Sequence, residues 1–239
     1  SGNRFSATAA YSPALNQKTS SGFDIGAGMR FGDRLGLSVA GNYNSGGEYE
    51  VIDDYGNRNG TFKTSSMLFS AGLGLKVIEM LSLGVNLKYA GERLASDLST
   101  GVFASDVYAM LRWKSFCLSA GFANLGTSVK DASGASYHIP SSVRLAAGYG
   151  LAFADKHSLD AGLDADCFLA GKFAVSAGVQ YGFNDVVFVR AGYRASGAGM
   201  LPSGLSVGLG SKFLGVRLDA AFQKTPSLNI VAFSLGYGF

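Results

Sequence analysis

The chain is short of almost everything that soluble enzymes and helical membrane proteins are built from. No uninterrupted apolar run approaches the roughly 18 residues of a membrane-spanning helix, which excludes a helical membrane protein. Charged residues make up only 15% of the sequence, and the net charge of +3 is too small to point to a nucleic-acid partner. There are two histidines, two cysteines and four prolines. His138 and His157 are expected on opposite sides of the structure, and neither metal-ligand spacing nor a Ser-His-Asp arrangement is visible. No cofactor and no enzymatic activity are therefore expected. Ser1 opens directly into polar residues without a leader pattern, so the 239 residues are read as one mature or truncated domain spanning 1–239.

What is present is glycine, with 34 residues, and alternation. The closing stretch Leu228–Phe239 puts Val231, Phe233, Leu235, Tyr237 and Phe239 on one face. Ile230, Ala232, Ser234, Gly236 and Gly238 fall on the other. A period of two means a strand. Large apolar residues opposite small ones suit a strand between lipid and a crowded lumen. The aromatic ending resembles the carboxy-terminal signal read by the machinery that inserts bacterial outer-membrane barrels.

The same alternation recurs along the whole chain, giving about fourteen strands in an unbroken meander. The connections sort by parity. One set is tight, at Gly32-Asp33, Lys76 to Met80, Lys114-Ser115, Ala154 to Lys156, Asn184-Asp185 and Leu214. The other set holds the long polar links, Ser45 to Gly60 and Thr127 to Pro140, which read as exposed loops. Short periplasmic turns and long outer loops are the asymmetry of an outer-membrane barrel. The fold expected is all-β, a transmembrane antiparallel up-and-down barrel in the bacterial outer membrane with both ends periplasmic. Lipid and lipopolysaccharide would be its surroundings.

Charges facing lipid cost about 2–4 kcal/mol each at mid-depth, so the charged alternates must point inward. On this reading the lumen holds Asp24, Arg30, Lys88, Asp106 and Arg112 from the first half of the chain. The second half adds Arg144, Asp160, Asp164, Asp166, Arg190, Arg194, Lys212, Arg217 and Asp219. Asp160, Asp164 and Asp166 crowd one face and read as ion-pair partners for neighbouring arginines rather than an acid/base pair. Cys117 is expected inward and Cys167 outward, which keeps them from pairing. Tyr11, Phe31, Tyr43, Tyr89, Trp113, Tyr149, Tyr193 and Phe213 lie near strand ends, where interfacial aromatic girdles form.

Several segments resemble the PorV family, a branch of the FadL-like outer-membrane barrels. They are Leu83–Tyr89, Ala123–Gly126, Ile139–Leu145, Phe183–Tyr193 and Gly204–Gly210. The resemblance implies a fourteen-stranded barrel of the Bacteroidota type. It further implies a non-enzymatic subunit that docks a larger outer-membrane barrel or receives secreted cargo, in type IX secretion or outer-membrane assembly. FadL itself implies an alternative, a transporter or porin for hydrophobic or small solutes. The amino-terminal plug of FadL-like proteins has no counterpart here, since Ser1 to Arg4 leads straight into a strand; it is either absent or precedes residue 1.

Overall fold

The structure is a computed structural model that describes residues 5–15, 20–53, 55–93, 99–130, 136–197, 203–226 and 229–238. The first half contains β1 (Phe5–Ser12), β2 (Ser21–Phe31), β3 (Leu35–Ile52), β4 (Arg58–Lys76), β5 (Leu81–Arg93), β6 (Ser99–Trp113) and β7 (Phe116–Gly126). A small hairpin follows, β8 (Ser128–Lys130) with β9 (Ser136–His138). The second half contains β10 (Ser142–Phe153), β11 (His157–Phe168), β12 (Phe173–Phe183), β13 (Val187–Ser196), β14 (Gly204–Phe213), β15 (Val216–Lys224) and β16 (Asn229–Gly238). Fourteen of these strands form one closed antiparallel barrel, in chain order except that β7 pairs directly with β10. Closure comes from β1, which pairs β2 from Phe5↔Met29 and β16 from Ser6↔Gly238.

The alternation in the sequence explains why these strands close rather than stack. One face of each strand is apolar and looks outward: Val39, Leu87, Leu163 and Leu209 are each about 60% exposed. Only five hydrophobic residues among those described are buried, so there is no packed core. The accessible surface is 15695 Å², against about 10,000 Å² for a solid globule of this mass. The excess is the inner wall of a hollow barrel. The outer apolar band replaces the core, because lipid covers it.

The tight turns gather at one end. Ala154-Asp155, Asn184-Asp185 and Leu214-Gly215 each carry two consecutive residues at positive φ. That is the primed-turn backbone whose twist matches two antiparallel strands. Aromatics ring this end on the outside, as in Phe116 against Tyr149 with centroids 4.8 Å apart. His157 joins them, packed on Phe153 and hydrogen-bonded through Nδ1 to the Tyr181 hydroxyl at 2.6 Å.

Two long links differ from expectation. Residues 45–52 and 58–60 are strand rather than loop. β3 and β4 continue as a hairpin past two irregularities, with Tyr49 opposite Phe62 and Glu50 opposite Thr61. Cross-strand pairs hold this ribbon together, Arg58–Glu50 at 3.1 Å among them. Its tip closes at Asp53, whose carboxylate accepts the backbone N–H of Tyr55 and Asn57 at 3.0 and 2.8 Å. Thr127 to Pro140 likewise contains β8 and β9, and β6 begins at Ser99, earlier than its apolar alternation starts. Of the closing signal, Phe233, Leu235 and Tyr237 are exposed on the outer face and Val231 is half-buried; Phe239 lies outside the described residues.

Candidate functional site in the barrel lumen

The inner wall is lopsided. Across β1 to β4 it is nearly bare: Thr8, Gly26, Ala40 and Ser70 form one row, and Ser6, Gly28, Ser38 and Gly72 the next. The opposite wall, β10 to β15, carries the charges and borders a cavity of about 870 Å³. Two hydrogen-bonded chains run along it. In the first, Gln180 Nε2 donates to Asp160 at 3.1 Å, Arg190 Nε donates to Gln180 at 2.7 Å, and Arg190 Nη1 meets Asp219 Oδ1 at 2.6 Å. Arg217 Nε completes it on Asp219 Oδ2 at 2.9 Å. Both guanidiniums sit over the buried Phe188 ring, at 5.7 and 5.3 Å from its centroid. In the second, Asp166 takes Arg144 Nε at 2.6 Å and Arg194 Nη2 at 3.3 Å.

A third network holds the wall between β5, β6 and β7. Lys88 Nζ meets Asp106 Oδ1 at 2.6 Å, and both groups are largely buried. Ladder pairs Ser105↔Leu125 and Val107↔Phe122 leave Asp106 facing both Ala123 and Asn124, a bulge with Asn124 at φ 58°. The bulge turns every polar group of Asn124 to use. Its N–H donates to Asp106 at 2.8 Å and its Oδ1 accepts Lys88 Nζ at 2.6 Å. Its Nδ2 donates to the Pro140 carbonyl at 3.1 Å, and its own carbonyl accepts the Ser141 hydroxyl at 2.7 Å. The outer hairpin's return strand is thereby tied to the barrel wall.

The remaining anticipated charges fall elsewhere. Asp24 accepts Asn42 Nδ2 at 2.6 Å. Lys212 reaches Asp185 in a tight turn at 3.8 Å. Asp164 borders the lumen cavity without a hydrogen bond or ion pair among the described residues. Arg30 and Arg112 stand apart from all three networks, at the tight-turn mouth. Asp160, Asp164 and Asp166 are thus divided among separate surroundings. Cys117 is half-buried on the lumen side and Cys167 exposed outside, both free. Gln180, Phe188 and Asn124 were not singled out as site residues from sequence. Asn124 and Phe188 carried a signal, their places in the Ala123–Gly126 and Phe183–Tyr193 segments.

A second cavity, about 880 Å³, lies on the lipid side. There Gly41, Ala71 and Ser105 leave a hollow among Ile25, Phe69, Leu87 and Phe103. Its lining is mostly apolar, with Lys88 at its border.

No family model matches the chain, and no curated protein matches it by sequence. Solved structures match it over its whole length. The toluene transporter TbuX of Ralstonia pickettii aligns with a TM-score of 0.68 at 9% identity, covering 100% of this chain and 90% of that one. The CymD monoaromatic hydrocarbon channel gives 0.64 at 12% identity, over 100% and 88%. A Pseudomonas aeruginosa FadL homologue gives 0.59 at 12%, over 98% and 88%. At these identities the likeness speaks to architecture alone. The chain has the fold of the FadL-type bacterial outer-membrane β-barrels.

Proposed function

We propose that this protein is a non-enzymatic outer-membrane channel whose lumen passes small polar solutes. The observation that carries this reading is the lopsided lumen. A wall of Gly, Ala, Ser and Thr leaves room, and the facing wall supplies fixed arginines and aspartates. The neighbours named for toluene and monoaromatic hydrocarbons suggest an apolar cargo. Such a cargo would have to displace water from ionised side chains here, at a cost of several kcal/mol per uncompensated group. Polar solutes exchange hydrogen bonds with that wall instead. Liposome swelling and planar-bilayer conductance test the reading. Purified barrel should admit small sugars or amino acids and give discrete conductance steps. Tight liposomes and a silent bilayer would overturn it.

A second reading, a PorV-type subunit of a type IX secretion or outer-membrane assembly complex, is favoured by a different observation. Three segments that carry the PorV resemblance converge on one structural unit: Lys88, Asn124 and Pro140-Ser141 all join the β7 bulge. The outer hollow at Gly41 and Ala71 supports close approach of another barrel through lipid. Mild-detergent pull-down from native outer membrane decides it. Co-purification of a much larger barrel or of secreted cargo supports the subunit reading. Recovery of a lone barrel, with secretion and assembly unchanged in a deletion strain, removes it.

A further inference from the structure

The charges of the lumen wall are largely matched to one another, whereas those at the tight-turn mouth are not. There, the ends of β2, β3, β4 and β6 and the 77–80 link enclose a cavity of about 700 Å³. Arg30, Arg34, Lys76 and Arg112 line it, together with Asp33 and Glu79. None of these six side chains makes an ion pair or a side-chain hydrogen bond among the described residues. Even complete pairing with the two carboxylates would leave two cations over. Gly36, Gly74 and Ser82 occupy the neighbouring inner positions, so the space between the cations is not filled by side chains.

The backbone that carries the cations is hydrogen-bonded. Lys76 N–H bonds the Arg34 carbonyl at 2.8 Å, and Arg112 N–H bonds the Met80 carbonyl at 2.8 Å. Val77 N–H bonds the Leu81 carbonyl at 2.9 Å, closing the link. Strand ends and a hydrogen-bonded turn thus fix where the four side chains leave the backbone, so no backbone ordering is needed for binding. A volume of this size is typical of small-molecule sites, roughly 300–1,000 Å³.

We infer that this mouth is a binding site for a small soluble polyanion, of the phosphate or polycarboxylate class. Guanidiniums donate paired N–H bonds to the oxygens of such groups in bidentate fashion. Arg30 and Arg112 share the parity of the inner-facing residues Gly28 and Met110 on their strands, so the site opens on the lumen and not on lipid. Tight turns face the periplasm in barrels of this kind, which makes the ligand a periplasmic one. The site is defined by binding and stands whether or not solute crosses the lumen.

The test is calorimetric titration of purified barrel with inorganic pyrophosphate, in nanodiscs of phosphatidylcholine. Single-site binding that weakens as salt rises is expected. The R30Q/R112Q double variant should weaken it roughly tenfold or more, the scale of one lost charge-assisted hydrogen bond. The D33N/E79Q variant should tighten it, and K63Q, on the outer hairpin, should leave it unchanged. Heat-modifiable migration checks that each variant is folded. Absence of binding, or equal binding by R30Q/R112Q and the unmodified chain, overturns the inference. So does loss of pyrophosphate binding in phosphatidylglycerol discs at matched salt, which would assign the cations to lipid headgroups. Conductance without pyrophosphate binding removes this site and leaves the channel reading intact; binding in a silent barrel does the reverse.

Discussion

Arg190 and Asp219 lie on strands that do not touch, yet their side chains meet at 2.6 Å. β14 runs between them and presents Gly208 opposite Arg190 and Gly210 opposite Asp219. A Cβ at Gly210 would collide with Asp219 Oδ1 and lie 3.0 Å from Arg190 Nη1. The glycines are the gap through which the pair is made.

Gly210→Val should therefore break the Arg190–Asp219 contact and destabilise the barrel by about 1–3 kcal/mol, the range for overpacking. Urea unfolding of barrel refolded into vesicles measures this. The coupling between Arg190→Ala and Asp219→Ala should be clear in the unmodified chain and vanish in the Gly210→Val background. Coupling that survives the valine would refute the role given to the glycine.

Asp106 and Asp164 both occupy inner positions, and their substitutions should differ sharply. Asp106→Ala leaves Lys88 and the Asn124 N–H without their carboxylate in a largely buried place. A cost of about 3–5 kcal/mol is expected. Asp164→Ala removes no hydrogen bond and should stay within about 0.5 kcal/mol. The same urea midpoints report both, and equal shifts would contradict the structure.

Asp53 sets the acid limit of the β3–β4 tip. The Asn57 backbone N–H foremost, then the Asn57 side chain and the Tyr55 N–H, hold its carboxyl below the ordinary aspartate value of 3.8 against an opposing desolvation. A lowered value in the folded turn means the carboxylate stabilises the tip above the ordinary value. That contribution fades as pH falls through the lower, folded value. Carbon-detected NMR titration should place Asp53 below the ordinary aspartate value, and exchange of the Asn57 amide should quicken over the same acid window. Titration at the ordinary value would count against the turn.

The barrel was legible because lipid and lumen impose a strict period of two, and because tight turns and long links alternate by parity. The count of fourteen followed from those two patterns alone. The 45–60 hairpin was hidden because its strands leave the membrane. Its alternation is short, Tyr49 and Val51 alternating with Glu48 and Glu50, and is interrupted by two register shifts, so cross-strand pairing rather than a long apolar face defines it. The alternation assigns the charged residues to the inner face, but it does not reveal their partners. Arg190 finds Asp219 across a strand, and Asp106 finds Asn124 through a bulge; neither the skipped strand nor the extra residue leaves a periodic trace. Arg30 and Arg112 were recognised as inward, yet their unmatched state emerged only when Arg34, Lys76 and the 77–80 link were placed beside them.

The seam between β1 and β16 has a consequence for the order of events in folding. Its ladder joins Ser6 to Gly238 and Tyr11 to Phe233, residues from opposite ends of the chain. No edge of this sheet can be sealed while the polypeptide is still being delivered, because the strand that seals it arrives last. Until then β1 presents an unpaired row of backbone donors and acceptors, the arrangement that invites aggregation. Loop-closure entropy over nearly the whole chain must also be met before the final ladder repays it. Closure thus waits on β16, and a chain cut short before Asn229 should be cleared by periplasmic proteolysis rather than accumulate as a partial barrel.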